Sequence, residues 1–250
     1  MQKFDKNIIR HNFSAKASSY EANSRLQKRV AIELLSRVGK LDGKILDIGA
    51  GTGMIRENSD FAGLVEMDFS LDMCKKNSGL VVNADAENLP FADASFDHVI
   101  SSLTIQWLNN LDVFAAEMKR VLKSGGSFHL STFGNGTLTE LSQSFAKIDD
   151  DAHIIRFPNT IFLFAVLKKA GFDKIDIHAQ TITYRHDNAM EILQQMKHIG
   201  ATYPLRSGAK GLAGKGYFNK LNAVYRKDFA DDDGKLPVTW NTLYITGKKN

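Results

Sequence analysis

The sequence predicts an α/β fold in which a mostly parallel sheet is covered by helices on both faces. Three observations carry that expectation. Four compact apolar runs, "GKILDIG" (43–49), "GLVEMD" (63–68), "LVVNAD" (80–85) and "FDHVISSL" (96–103), read as buried strands. Helical patterns alternate with the later runs, the clearest being Leu111, Phe114, Ala115, Met118, Val121 and Leu122, whose three-and-four spacing puts them on one face. Strands alternating with helices imply parallel pairing, and such sheets bind ligands at the carboxyl ends of their strands.

The remaining elements follow in order. Residues 4–37 precede the first strand and predict two helices, "FDKNIIRHNF" and "SRLQKRVAIELLSRV", which together make a helical cover (1–40) over the ligand edge. "KSGGSFHLSTF" (123–133) ends the preceding helix with glycines and begins a fifth strand. "TIFLFAVLKKAGF" (160–172) is a helix with glycine at its exit, and "KIDIHAQTITY" (174–184) alternates as a half-buried strand does. "VTWNTLYITGK" (238–248) predicts a closing strand. The intervening 185–236 exceeds an ordinary connection and reads as a helical insertion. The expectation is one elaborated domain over 1–250.

Composition narrows the class. With Cys74 as the only cysteine no intramolecular disulfide can form, which points to a reducing, cytoplasmic setting. The first twenty residues scatter charge and offer no cleavable signal, and "IFLFAVL" (161–167) is too short to span a bilayer. The seven histidines are dispersed without metal spacing, so no metal is predicted. A net charge of +4 excludes little by itself.

"LDIGAGTG" (46–53) places Gly49, Gly51 and Gly53 directly behind the first strand. Glycines there allow tight turning and close backbone approach, and amides at a helix start favour oxygen anions. A dinucleotide loop would carry G-x-G-x-x-G, but position 54 is Met, which argues against a nicotinamide enzyme. Asp47, inside the strand, can orient an ammonium group or the loop itself. Asp68 closes the second strand, where it suits ribose hydroxyls, and Asp85 closes the third, where it suits an adenine amino group. Each alone also reads as a capping acid. Together with the loop they match a nucleoside bearing a cation.

"LDIGAGTG", "MDFS", "ADAENLPF" and "FDHVISSL" resemble the successive motifs of the class I S-adenosylmethionine-dependent methyltransferases over roughly residues 44–133. The resemblance implies a Rossmann-like sheet, mostly parallel with an antiparallel last strand. It implies S-adenosyl-L-methionine as cofactor, held by Asp47, Gly49, Gly51, Gly53, Asp68, Asp85 and Ala86, with Ser101 offering its backbone to the methionine part. Ala50 stands where the family's commoner motif has a cysteine.

A narrower likeness runs nearly end to end. "FSAKASSYEANSRLQ" (13–27), "LTIQWLNNL" (103–111), "STFGNGTLTELSQSF" (131–145), "HIIRF" (153–157), "MKHIGA" (196–201) and "LPVTWNTLYITG" (236–247) are similar to the malonyl-acyl-carrier-protein O-methyltransferases of biotin synthesis. That family implies methyl transfer to the free carboxylate of a malonyl thioester on acyl carrier protein or coenzyme A, giving a methyl ester that primes pimeloyl and biotin synthesis. Lys215 departs from the arginine the family often has. Rival readings are another class I enzyme, acting on a quinone ring or a small acid, and a cofactor-binding protein without catalysis.

For such a reaction no general base is needed, because a carboxylate with a reference pKa near ~4 is already ionised at neutral pH. No catalytic residue in that sense is expected. Positioning is left to Tyr20 and Arg156, the guanidinium gripping one carboxylate oxygen through its fork of donors. Tyr20 would close over the reacting groups or serve as a lid core aromatic; Gln27 would bond the glycine loop or methionine end, or simply pack; Arg156 equally reads as a surface ion-pair partner. Gln106 and Trp107 follow the fourth strand as substrate contacts, Trp107 as a wall. From 185 to 227, Arg185, Lys197, Arg206, Lys210, Lys215, Lys220, Arg226 and Lys227 face only Asp187 and Glu191, a local +6. This basic stretch suits an acidic carrier protein or is a solvated face, with "DFADDDGK" returning negative charge after it. No nucleic-acid reader motif is present, and no membrane partner is expected.

Overall fold

The computed structural model describes residues 3–198 and 214–250. Seven strands, β1 (Ile45–Ile48), β2 (Leu64–Asp68), β3 (Val81–Asn83), β4 (Phe96–Ser102), β5 (Leu122–Phe133), β6 (Phe172–His186) and β7 (Leu236–Lys249), form one sheet in the order β3-β2-β1-β4-β5-β7-β6. Strands β1 to β5 pair in parallel, and β7 lies antiparallel between β5 and β6. The order reverses between β1 and β4, which opens a crevice beyond the carboxyl end of β1, directly behind which the glycine loop sits.

The helices are α1 (Lys6–Ser14), α2 (Tyr20–Asn23), α3 (Arg25–Val38), α4 (Met54–Glu57), α5 (Leu71–Cys74), α6 (Leu111–Val121), α7 (Thr139–Ala146), α8 (Thr160–Lys169), α9 (Ala189–His198) and α10 (Lys215–Phe229). Local chemistry starts several of them. Asp5, Ser70, Asn110 and Asn159 each accept, through the side chain, an amide of the first turn of α1, α5, α6 and α8. Apolar periodicity supplies the rest: α6 buries Leu111, Phe114, Ala115, Met118 and Val121, the face the sequence predicts.

Two cores flank the sheet. Leu46 and Ile48 of β1 pack with Val99, Phe114, Met118, Phe128 and Leu163, whereas Ile45 packs with Val30, Leu34, Leu141 and Tyr225 on the opposite face. Strand alternation therefore turns Asp47 toward the α3 side. Truncating a fully buried Leu46 to Ala would cost about 2–5 kcal/mol, so the strand carrying Asp47 is firmly fixed.

The structure departs from expectation in three places. Helix α6 passes straight into β5 at Leu122, which already pairs with Phe96; Leu122 is fully buried, so packing turns the chain extended before the glycines are reached. Strands β6 and β7 are longer than their alternation suggests, because they continue to pair with each other from Thr181–Asn241 to His186–Leu236, past the last β5 contact at Phe133. The insertion is thus bounded by 187 and 235, with α9 and α10 inside it. Among the described residues no helix is long and apolar enough to cross a membrane.

Candidate cofactor and acceptor site

The glycine loop is backbone shaped by its neighbours. Gly49 has φ 77°, and a Cβ there would lie 2.0 Å from the Thr104 hydroxyl, so Thr104 can sit against the loop only if position 49 is bare. Gly51, at φ 57°, would direct a Cβ into open space. That opening is where a ligand can lie against the peptide.

The acids around the loop have different partners. Asp68 accepts the Gly51 amide at 2.9 Å and the Ser70 amide at 2.7 Å. Burial pushes its carboxyl above the ordinary range, and those two donors pull it partly back. Asp68 thus ties the loop to the end of β2. Asp47 is 1% exposed, and neither of its oxygens has a hydrogen bond among the described residues. Burial, then the charges of Glu66 and Asp68, hold its carboxyl well above the usual value, with Arg56 opposing. Arg56 is itself spent on Glu66 and on the Leu64 carbonyl at 3.0 Å, and Asn77 donates to Glu66 at 2.7 Å. A buried carboxylate with no donor is costly unless a cation completes it.

Two further polar atoms are buried without a partner among the described residues: Oε1 of Gln27, on α3, and the hydroxyl of Thr52, between the loop glycines. Sequence reasoning named Gln27 and missed Thr52, although its place inside the motif was available as a signal. An unpaired carboxylate, an unpaired amide oxygen, an unpaired hydroxyl and an open glycine fit an α-amino acid bearing a nucleoside. Tyr20 opens α2, half-buried, and burial together with the charge of Asp68 pushes its phenol well above the ordinary value, so it stands as a neutral donor near that acid.

Other predicted residues are placed differently. Asp85 accepts the Glu87 amide at 2.9 Å and an ion pair from Lys6 of α1 at 2.6 Å, so its carboxylate is already oriented. Ala86 is buried beside it. Ser101 donates to the Ile48 carbonyl at 2.7 Å, which commits its hydroxyl to the sheet and leaves only the backbone role. Gln106 is engaged within the protein: its amide donates to the Leu103 carbonyl at 2.7 Å and its oxygen accepts from Thr132 at 3.0 Å. It thereby braces the turn after β4, where Leu103 holds a left-handed φ of 53°. Trp107 packs against Phe4 and Phe13 with ring centres 5.9 and 5.6 Å away, which seats α1.

Arg156 is exposed on the segment between α7 and α8. It lines a groove of about 700 Å³ with Asn135, Thr137, Phe145, Asp149 and His153. Phe157, next in the chain, stacks edge-on over Phe133 at the carboxyl end of β5, 6.1 Å between centres. The groove shares no lining residue with the glycine loop. His153 also departs from the picture of dispersed histidines: its ring, Asp149 and Asp151 offer ligand atoms within 4.8 Å of one another. Hydrogen bonds account for the cluster. His153 bonds Asp149 at 2.8 Å and stacks on Phe145, and the Tyr217 hydroxyl donates to Asp149 at 2.7 Å, bolting α10 to the groove.

The basic stretch is thinner than its count. Arg185 pairs with Asp231 and Asp233, so the following acids consume it, and Arg226 donates to the backbone carbonyls of Gly234, at 3.0 Å, and Asp187. Lys197, Lys215, Lys220 and Lys227 are exposed and form no ion pair with a described residue. Arg206, Lys210 and most of "MKHIGA" lie outside the described residues.

Comparison with known proteins fits this geometry. A family model described as "Methyltransferase domain" matches residues 46–130. A malonyl-[acyl-carrier protein] O-methyltransferase of Gallionella capsiferriformans is 32% identical, covering 96% of this chain and 89% of that protein. The chain belongs to this family. The Geobacter sulfurreducens member is also 32% identical, over 98% of this chain and 99% of its own. Among solved structures, a putative methyltransferase of Bacillus halodurans matches at TM-score 0.62 and 18% identity, over 88% of this chain and 98% of that one. A Haemonchus contortus phosphoethanolamine N-methyltransferase, in complex with S-adenosyl-L-methionine, matches at 0.56 and 19%, over 94% of this chain and 57% of that one. These two share the fold. As a member of the family the chain is an S-adenosylmethionine-dependent methyltransferase, and the orphaned groups around the glycine loop fit that cofactor.

Proposed function

We propose that this protein methylates the free carboxylate of a malonyl thioester carried on acyl carrier protein, yielding the methyl ester that primes pimeloyl and biotin synthesis. One observation supports the cofactor half above all others: the buried, donor-less carboxylate of Asp47 beside the bare glycine loop. S-adenosylmethionine supplies a methyl group on positively charged sulfur. Asp47 receives the amino acid's ammonium, the loop amides lie along its backbone, Asp68 holds the ribose and Asp85 the adenine amine.

The acceptor arrives as an anion, so the chain's task is alignment and exclusion of water. Fixing two reactants in line accounts for as much as about 7–11 kcal/mol of barrier lowering. Tyr20, kept protonated by its surroundings, donates to an acceptor oxygen without competing as a nucleophile. Trp107 closes the wall. Arg156, at the groove mouth, anchors the malonyl carboxylate by its outer oxygen, and the exposed Lys197, Lys215, Lys220 and Lys227 attract the acidic carrier.

Purified protein with labelled S-adenosylmethionine tests the proposal against malonyl-carrier protein, malonyl-coenzyme A, acetyl-carrier protein and free malonate. Label is expected only in malonyl thioesters. Turnover of a quinone or free malonate instead would replace the substrate, and cofactor binding without turnover would leave a non-catalytic protein.

A further inference from the structure

Helix α1 touches the loops that follow three successive strands in the chain. After β2, Ser14 shares a hydrogen bond with Ser70 at 2.8 Å and Arg10 lies 5.6 Å from the Phe69 ring. After β3, the ammonium of Lys6 meets both Asp85 and Glu87. After β4, the Phe4 amide donates to Asn109 at 2.6 Å, Asn109 donates back to the Phe4 carbonyl at 3.0 Å, and Phe4 and Phe13 pack on Trp107. Two of these loops carry or adjoin the acids assigned to the adenosine, Asp68 and Asp85. One short helix thus bridges the adenosine end of the crevice.

Lys6 is the only cation among these contacts that reaches an adenosine acid. Its side chain is 28% exposed, and Glu87 is 11% exposed. Burial works to lower the Lys6 pKa, but the bonds to Asp85 and Glu87 outweigh it and raise it, so the ammonium stays charged. Glu87 is pinned independently. Its amide donates to Asp85 at 2.9 Å, and its Oε1 accepts the Asn110 amide at 2.6 Å, at the start of α6. Lys6 therefore has two anchors of unequal duty: Asp85, whose remaining lone pairs suit an adenine amine, and Glu87, which has no call from the ligand.

We infer that Lys6 is a positioning residue for the cofactor: it orients Asp85 toward the adenine and, by keeping its hold on Glu87 when the adenine bonds Asp85, latches α1 over the bound adenosine. The inference rests on Asp85 receiving the adenine. Cofactor exchange then requires the latch to open, and because the latch is a partly exposed ion pair, its opening speeds up with salt.

The test uses the full chain and S-adenosylhomocysteine, with affinity from calorimetry and release followed by displacement. Lys6→Met is expected to speed release about tenfold and weaken affinity to a similar degree. Lys6→Arg is expected to restore both to within about twofold. Release from the wild type should accelerate with sodium chloride, and release from Lys6→Met should not. Should Lys6→Met fail to fold by circular dichroism, Glu87→Gln takes its place, with the same faster, salt-insensitive release expected. Wild-type retention by the folded variant, or an unchanged salt response, overturns the latch. A wild type that binds no S-adenosylhomocysteine sinks the cofactor reading itself, an outcome distinct from a wild type that binds while Lys6→Met binds equally well.

Discussion

Over β1, β2 and β3 the ligand edge is made of backbone and short acids; over β5, β6 and β7 it is made of long side chains on added elements. In the first region Gly49, Gly51, Asp47 and Asp68 stand within a few residues of a strand end, and Asp68 ties the Gly51 amide at 2.9 Å. In the second, the groove of Arg156 is assembled from the loop after β5, α7 and the segment before α8, and Tyr217 reaches it from α10. The contrast teaches where specificity resides under the proposed function: a cofactor common to many enzymes would be held by the short-range part, and the acceptor would meet the longer-range one, as sites grafted on a shared fold require.

That division can be broken by substitution. Within the second region Arg156→Ala should show the largest effect, lowering kcat/KM for malonyl-carrier protein by about 100-fold while S-adenosylhomocysteine affinity stays within twofold, since a bidentate charge-assisted grip contributes about 3 kcal/mol. Steady-state kinetics beside calorimetry separates the two. A matching loss of cofactor affinity would merge the regions. Gly51→Ala should do the reverse: a Cβ at φ 57° costs about 1 kcal/mol of strain and enters the ligand's space. Cofactor affinity should fall by about 30-fold, with the melting temperature lowered by only a few degrees.

Reversing Lys215, Lys220 and Lys227 together to Glu should raise KM for malonyl-carrier protein by about tenfold and leave malonyl-coenzyme A nearly untouched, an asymmetry that weakens with salt. Equal effects on both would make these lysines a solvated face. The smallest effect is in pH. Asp47 has a raised carboxyl pKa when unliganded, so the folded protein holds a proton there that the unfolded chain releases near ~4. Unliganded stability should therefore decline as pH climbs from that value through the folded pKa. Cofactor affinity should move the opposite way, strengthening as the carboxylate forms. Asp47→Asn should flatten both curves in thermal melts and titrations.

The sequence makes the first region legible because its requirements are local. Three glycines and an acid fall within "LDIGAGTG", and each later acid closes an apolar run. Helix α6 is equally readable from its spacing. The bonds of Gln106 are not legible, because residue type does not say which neighbours will use an amide, here Leu103 and Thr132. Lys6 is missed because its partners stand 79 and 81 positions away, and nothing local distinguishes it from the other lysines near the start of the chain. The basic stretch is overcounted for the same reason: Arg185 meets Asp231 and Asp233 only once β6 and β7 have paired.

The central claim is that a donor-less carboxylate at the end of β1 awaits a cationic cofactor. Calorimetric titration of S-adenosylhomocysteine into wild type and Asp47→Asn, with melts of both unliganded proteins, addresses it most directly. The account predicts at least a 100-fold loss of affinity in Asp47→Asn together with an unchanged or raised melting temperature, because a neutral amide replaces an acid that folding buries without a donor. Undiminished affinity, or a variant that binds poorly only because it melts far below the wild type, would contradict it.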